Sequence, residues 1–169
     1  MAILDTLKKS LTGSKSDAAD ADILDTLKQE HRDVAEMLDK LVESESASER
    51  KNLLGSIKAA LVPHLRAEEK VVYDPVLALR GKEQKAHGEE GYMEHALGDK
   101  MLLQLGKMSD ALSPEFSAGA KVLKELVEHH VEEEEKAIWS DVEDNFSEAD
   151  RIAMNKKFLA AKKRVKVPA

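Results

Sequence analysis

The chain has 169 residues, with 26 Lys and Arg against 33 Asp and Glu, a formal charge of −7, and 42% hydrophobic residues. That length fits one domain with one core, and the balance fits an acidic, globular protein; two fully independent domains are not expected. The longest apolar run is four residues, as in Val76 to Leu79, against the roughly 20 needed to cross a bilayer. No membrane span is expected, and no continuous apolar stretch at the N-terminus leads to a small-residue cleavage site, so the expected location is cytoplasmic. The absence of cysteine excludes disulfides, thiolate zinc sites, Fe–S clusters and thiol catalysis, so any metal must be held by nitrogen and oxygen. With only 8 Gly, 4 Pro and 6 aromatics beside abundant Ala, Leu, Glu and Lys, the composition predicts an all-α fold.

In chain order, an amphipathic stretch from Ile3 to Leu11 and a polar, small-residue linker from Thr12 form an expected N-terminal arm over residues 1–21. Asp22 is a good N-cap for a first long helix ending before Ser44. Ser46 and Glu49 have capping-box spacing, and a second helix should run to about Tyr73, where Asp74-Pro75 predicts its end. A third helix covers roughly Glu83 to Met108. Ser113 followed by Pro114 opens a fourth, reaching about Val142. Ser147 caps a last, basic helix within residues 146–169. The reading is an antiparallel four-helix up-down bundle over residues 22–145, with an N-terminal arm and a C-terminal helix.

The inward-facing positions of such a bundle should be apolar. Here they are interrupted. The first helix places His31 among Leu24, Leu27, Val34, Leu38 and Leu41; the second places His64 and Glu68 among Leu54, Ile57, Leu61 and Val71. The third carries His95 with Leu102 and Leu105, and the fourth carries His130 and Glu134 among Leu123, Val127 and Ile138. Residues four apart share a helical face. His31 and His64 lie 33 residues apart and His95 and His130 lie 35 apart, at matched offsets from their interhelical loops. In antiparallel hairpins this sets all of them at one level. The pattern is an internal duplication: His, then His-x-x-x-Glu, twice.

Burying that set without compensation is costly. An unsatisfied buried polar group costs roughly 1–3 kcal/mol, and a buried carboxylate several more, against a whole-domain stability of about 5–15 kcal/mol. A pair of cations supplies the missing positive charge, keeps the imidazoles neutral and the carboxylates ionised, and turns the cost into binding energy. Nitrogen and oxygen donors without sulfur suit iron or manganese, with zinc as a further alternative.

The residues that carry this pattern are His31 in Gln-Glu-His-Arg-Asp, the segment from His64 through Glu68 and Glu69 to Pro75, Glu94-His95, and the segment from His130 through Glu134 and Glu135 to Trp139. In them the sequence resembles the hemerythrin-like family with its HHE cation-binding domain. The resemblance implies two iron ions, with His31, His64 and Glu68 as ligands from one half and His95, His130 and Glu134 from the other, both glutamates able to bridge. Oxygen carriers of that family have a second histidine four residues before the position of His95, where this chain has Gly91. They also use His-x-x-x-x-Asp in the last helix. Gly91 and Gly98, flanking His95 on its own face, are therefore expected to leave room for a small ligand.

Among the remaining candidates, Tyr92 is placed to hydrogen-bond to or ligate the metal, with core filling as its other reading, and Asp99 is a spare carboxylate or an exposed helix residue. Trp139 and Tyr73 correspond in the duplication and are expected to close the ends of their helices. His129 is assigned to solvent or to the surroundings of the site, and His87 to the surface. The tail from Arg151 carries seven basic and no acidic residues. It is expected to lie against the chain's own acidic bundle, with Ile152, Phe158 and Leu159 inward, rather than on nucleic acid or membrane. The expected function is a non-haem di-iron protein meeting O2, NO or peroxide in sensing or redox protection. A di-iron oxidase or peroxidase, an iron-handling protein and a metal-free helical interaction module are the alternatives. No nucleophile, general base or phosphate-binding loop points to metal-free catalysis.

Overall fold

The computed structural model describes residues 18–168, which are helical with no strand among them. The long elements are α1 (Ile23–Glu43), α2 (Ala47–Glu68), α4 (Lys82–Gly106) and α5 (Pro114–Glu133). A π-helical segment, Glu69–Tyr73, joins α2 to the short α3 (Asp74–Leu77), and a second, Glu134–Ile138, joins α5 to α6 (Trp139–Asn145). The last helix is α7 (Glu148–Lys162).

The helix starts follow the capping chemistry. Asp22 accepts from the Leu24 amide at 3.0 Å, and Ser113 accepts from the Phe116 amide at 3.1 Å. Ser46 accepts from Glu49, and Ser147 and Asp150 form a reciprocal capping box. Asp74-Pro75 does not end the second helix as expected. The chain passes through the π segment first, and Asp74 donates its amide to the Glu69 carbonyl five residues back. The wider turn shifts the hydrogen-bonding register by one residue, and Pro75 is accommodated at the start of α3.

Packing pairs α1 with α2, α4 with α5, α1 with α5 and α2 with α4, closing a ring of four helices. The apolar core inside it is split in two. One part runs from Val34, Leu38 and Leu41 through Leu54 to Leu65, Leu102, Leu105 and Phe116 to Val127. The other gathers Ile23, Leu27, Val71 to Tyr73, Ile138, Trp139, Val142 and Phe158. The histidines and glutamates of the duplicated pattern fall where one part gives way to the other: His31 lies between Leu27 and Val34, and His130 and Glu134 between Val127 and Ile138.

The basic α7 packs on α1 and α2. Its Phe158 is fully buried and meets the His64 ring edge-on, centroids 5.7 Å apart. Arg151 pairs with Asp22 at 2.7 Å, Lys162 with Glu30 at 2.5 Å, and Asn155 donates to the Ala18 carbonyl. The segment before α1, read as linker, is thus held by α7 from Ala18 onward; the rest of the expected arm, residues 1–17, lies outside the described residues. Because Phe158 fills the space against His64, we expect Phe158→Ala to cost about 3–5 kcal/mol in urea unfolding of the whole chain, far more than Ala160→Gly on the exposed face of the same helix.

Candidate metal centre

His31, His64, Glu68, His95, His130 and Glu134 are all buried, and the structure brings them together. Glu68 Oε2 lies 3.4 Å from both His64 Nε2 and His95 Nε2, so this carboxylate joins a histidine of each half. Glu134 Oε2 does the same, 3.3 Å from His31 Nε2 and 3.7 Å from His130 Nε2. Two sets of three have donor atoms close enough to share one cation: His31, His64 and Glu68, and Glu68, His95 and His130. Glu68 is common to both, the arrangement a bridging carboxylate requires.

Each imidazole is fixed from behind by a further glutamate. The Nδ1 atoms of His31, His64, His95 and His130 lie 3.1, 2.9, 3.1 and 2.7 Å from Glu135, Glu30, Glu69 and Glu94. A carboxylate facing Nδ1 keeps the proton there and turns the Nε2 lone pair inward, the usual support of a metal-bound histidine. The pairing obeys the duplication. Glu30 and Glu94, each preceding a first histidine, hold the second histidine of their own half; Glu69 and Glu135, each following the His-x-x-x-Glu glutamate, hold the first histidine of the other half. The Glu-His and Glu-Glu doublets were visible in the sequence, but only folding shows that each glutamate serves a histidine on a different helix.

Tyr73 is the residue that sequence reading missed. Instead of closing its helix it is fully buried, with its hydroxyl 3.1 Å from His95 Nε2, 3.2 Å from Glu134 Oε1, 3.4 Å from His130 Nε2 and 3.5 Å from Glu68 Oε2. On a regular helix a residue five after Glu68 would point about 140° away from it. The π segment inserts one extra residue and returns Tyr73 to the same face. Gly91 provides the space: a Cβ there would stand 2.6 Å from the Tyr73 ring. The expectation that Gly91 opens room for an external ligand is therefore corrected, since the tyrosine ring occupies it. In the other half the corresponding position is Leu27, and Trp139, the counterpart of Tyr73, lies stacked beside His31 at 6.1 Å.

Tyr92 does not join the six residues: its hydroxyl donates to Asp74 at 2.7 Å and its ring packs on Tyr73. Asp99 pairs with Arg66 at 2.7 Å, and Arg66 in turn reaches Glu69. Neither residue reaches the centre, because both are engaged outside it. His129 is exposed and lies 3.5 Å from Glu94, while His87, expected at the surface, is half-buried and hydrogen-bonds to Asp141.

Protons and charges alternate across the cluster. Burial opposes ionisation of Glu68, but His64 and His95 hold its carboxyl well below the usual range. Burial and the facing Glu68 push Glu134 well above it. Burial also opposes the charge on His64, yet Glu68 and Glu30 raise it to about 9. Burial and the neighbouring His64 push His31 down to about 3. Buried His31 Nε2, Glu68 Oε1 and Glu134 Oε2 have no hydrogen-bond partner among the described residues. Such orphaned atoms are rare in a folded interior and fit a centre meant to coordinate cations.

A cavity of about 20 Å³ adjoins the four imidazoles, lined mostly by apolar side chains such as Val34, Leu61, Leu65 and Val127, together with Gly98, Glu30 and Glu94. It exceeds the roughly 10–15 Å³ that one water needs. A Cβ on Gly98 would meet nothing within 4 Å, so of the two glycines flanking His95 this one faces free space.

Comparison with known proteins agrees with the geometry. The hemerythrin HHE cation binding domain matches residues 22–139. A curated relative, a "DNA nickase" of Nostoc sp. (strain PCC 7120 / SAG 25.82 / UTEX 2576), is 28% identical over 150 residues, covering 89% of this chain. The chain spans 42% of that relative's length. No solved structure matches. With the family match covering most of the chain and its histidines and glutamates gathered at one buried level, the protein belongs to the hemerythrin HHE cation-binding domain family.

Proposed function

We propose that the ring of helices is an up-down bundle holding two iron ions on His31, His64, Glu68, His95, His130 and Glu134, and that the protein is a cytoplasmic sensor or redox-protective protein for O2, NO or peroxide. The observation that carries this is the convergence of four inward-facing Nε2 atoms on two buried carboxylates, with three of the ligand-type atoms making no hydrogen bond among the described residues. Bound iron would supply an electron-rich, Lewis-acidic site for a diatomic or peroxide ligand. The residues supply the rest: the outer glutamates aim each imidazole, the apolar cavity beside Gly98 admits a small uncharged molecule, and Tyr73 offers one O–H at the centre. Burial together with Glu134 and Glu68 keeps that phenol protonated. Manganese or zinc fit the same donors. DNA nicking, named for the longer relative, is not carried over.

A di-iron peroxidase or oxidase is a second reading, favoured by Tyr73, an oxidisable phenol within 3.1 Å of a ligand-type histidine. Iron handling and a metal-free interaction module have no comparable observation in their favour.

Metal analysis and the near-ultraviolet spectrum of freshly purified protein test the main reading. Two irons per chain with an oxo-bridge absorption are expected, and metal-free protein without that band would reject it. Repeated turnover of peroxide, rather than a stoichiometric spectral change, would select the second reading. Gly98→Leu should fill the cavity and weaken azide or nitric oxide binding at least tenfold at unchanged iron content, as followed by spectroscopic titration.

Metal loading should also release protons, because the metal-free centre holds them on Glu134 and His64. About two protons per chain are expected near pH 7, measured with an indicator dye. The sign follows: protons compete with the cation, so apparent metal affinity should rise as pH climbs toward the His64 value of about 9.

A further inference from the structure

The centre is buried, so a cation must have a way in, and the two halves of the duplication differ at the place where one could open. A pocket of about 10 Å³ lies between α4 and the second π segment. Its inner wall includes Gly91, His130 and Glu134; its outer wall is His87, Glu90, Glu94 and Glu133. Glu134 is only 2% exposed. The pocket thus connects the exposed Glu90 and the half-buried Glu94 and Glu133 to a buried carboxylate that belongs to the proposed centre and whose Oε2 has no hydrogen-bond partner among the described residues.

The duplication provides an internal comparison. The positions that match His87, Glu90, Gly91, Glu133, Ala137 and Ile138 in the first half are Ile23, Thr26, Leu27, Ala67, Val71 and Val72. Five of those six belong to the apolar core that includes Phe158 of α7. Glu30, the counterpart of Glu94, is clamped by Lys162, whereas among the described residues Glu94 pairs with histidines alone, His130 at 2.7 Å and His129 at 3.5 Å. One approach to the centre is therefore sealed with hydrocarbon and a lysine, and its twin is lined with acid. Two carboxylates of the open side have nothing strong to hold them. Glu133 has only an exposed Lys136 at 4.0 Å, and Glu90 has no ion pair or hydrogen bond among the described residues.

We propose that this acidic pocket is a cation port, in which Glu90, Glu94 and Glu133 transiently bind divalent metal ions and pass them to Glu134 and His130. The cavity beside Gly98 is the poorer route: Glu30 and Glu94 also line it, but each is turned to a histidine Nδ1, at 2.9 and 2.7 Å, and the rest of the wall beyond the imidazoles is hydrocarbon, which offers a hydrated dication nothing to replace its water. Carboxylates in a cleft concentrate cations and speed their capture, an effect of about 10- to 1,000-fold that falls with ionic strength. The port rests on the metal-centre reading, and its test separates the two.

The experiment is stopped-flow loading of metal-free protein with Co(II), followed by the visible bands of bound cobalt. In Glu90→Gln/Glu133→Gln, loading should slow about tenfold or more at low salt, with final stoichiometry and spectrum unchanged, and high salt should shrink the difference. Glu43→Gln/Glu115→Gln, an equal loss of charge on exposed residues at the far loops, should load at the unaltered rate. Unaltered loading in the first variant at full occupancy would overturn the port alone, as would equal slowing in both variants. Failure of the unaltered protein to take up cobalt at equilibrium would overturn the centre, and the port with it.

Discussion

Everything distinctive in this molecule follows from having ionisable groups at a depth where water cannot solvate them. Six such residues at one level divide the hydrophobic interior into two separate parts, and an apolar core gains nothing from that division. Without cations, the cluster reduces its cost by sharing protons unequally: one glutamate keeps its charge beside raised histidines while the other is protonated. Three ligand-type atoms still make no hydrogen bond among the described residues. The outer glutamates add negative charge to an already acidic site, which makes sense only where positive charge is to be bound.

The folded arrangement is nearly two-fold symmetric around this level, and the departures from symmetry are as informative as the symmetry. The C-terminal helix covers one half only, placing Phe158 on His64 and Lys162 on Glu30. The other half lines the matching approach with Glu90, Glu94 and Glu133 and admits Tyr73 through the space beside Gly91. A duplicated sequence has thus acquired two different faces: one that closes the site and one that serves it.

Much of this was legible from residue spacing. Polar residues in an apolar stripe marked His31, His64, Glu68, His95, His130 and Glu134, because a 3.6-residue period fixes which positions face inward. Cap residues marked the helix starts for a similarly local reason. Tyr73 was not legible, since the spacing that excludes it assumes an unbroken α-helix and the π segment breaks that assumption. The role expected of Gly91 failed for the same cause: once Tyr73 is turned inward the space beside Gly91 is filled, while Gly98 stays open as expected. Glu30, Glu69, Glu94 and Glu135 were passed over as charged neighbours of the candidates, because each works across a helix interface that local periodicity does not encode.

The paired π segments have a consequence for how such a protein can change. Each is one residue longer than a regular turn would need, and in the first of them the wider winding absorbs this surplus and so keeps Tyr73 aimed at the histidines. Removing one residue from 69–72 would rewind that stretch to an α-helix and leave the phenol four residues after Glu68, about 40° round and on the same face, whereas rewinding it with all five residues kept would swing the phenol to about 140°. At this point of the chain the winding of the backbone decides whether the phenol meets the histidines, so losing the surplus residue would disturb the centre less than straightening the segment around it.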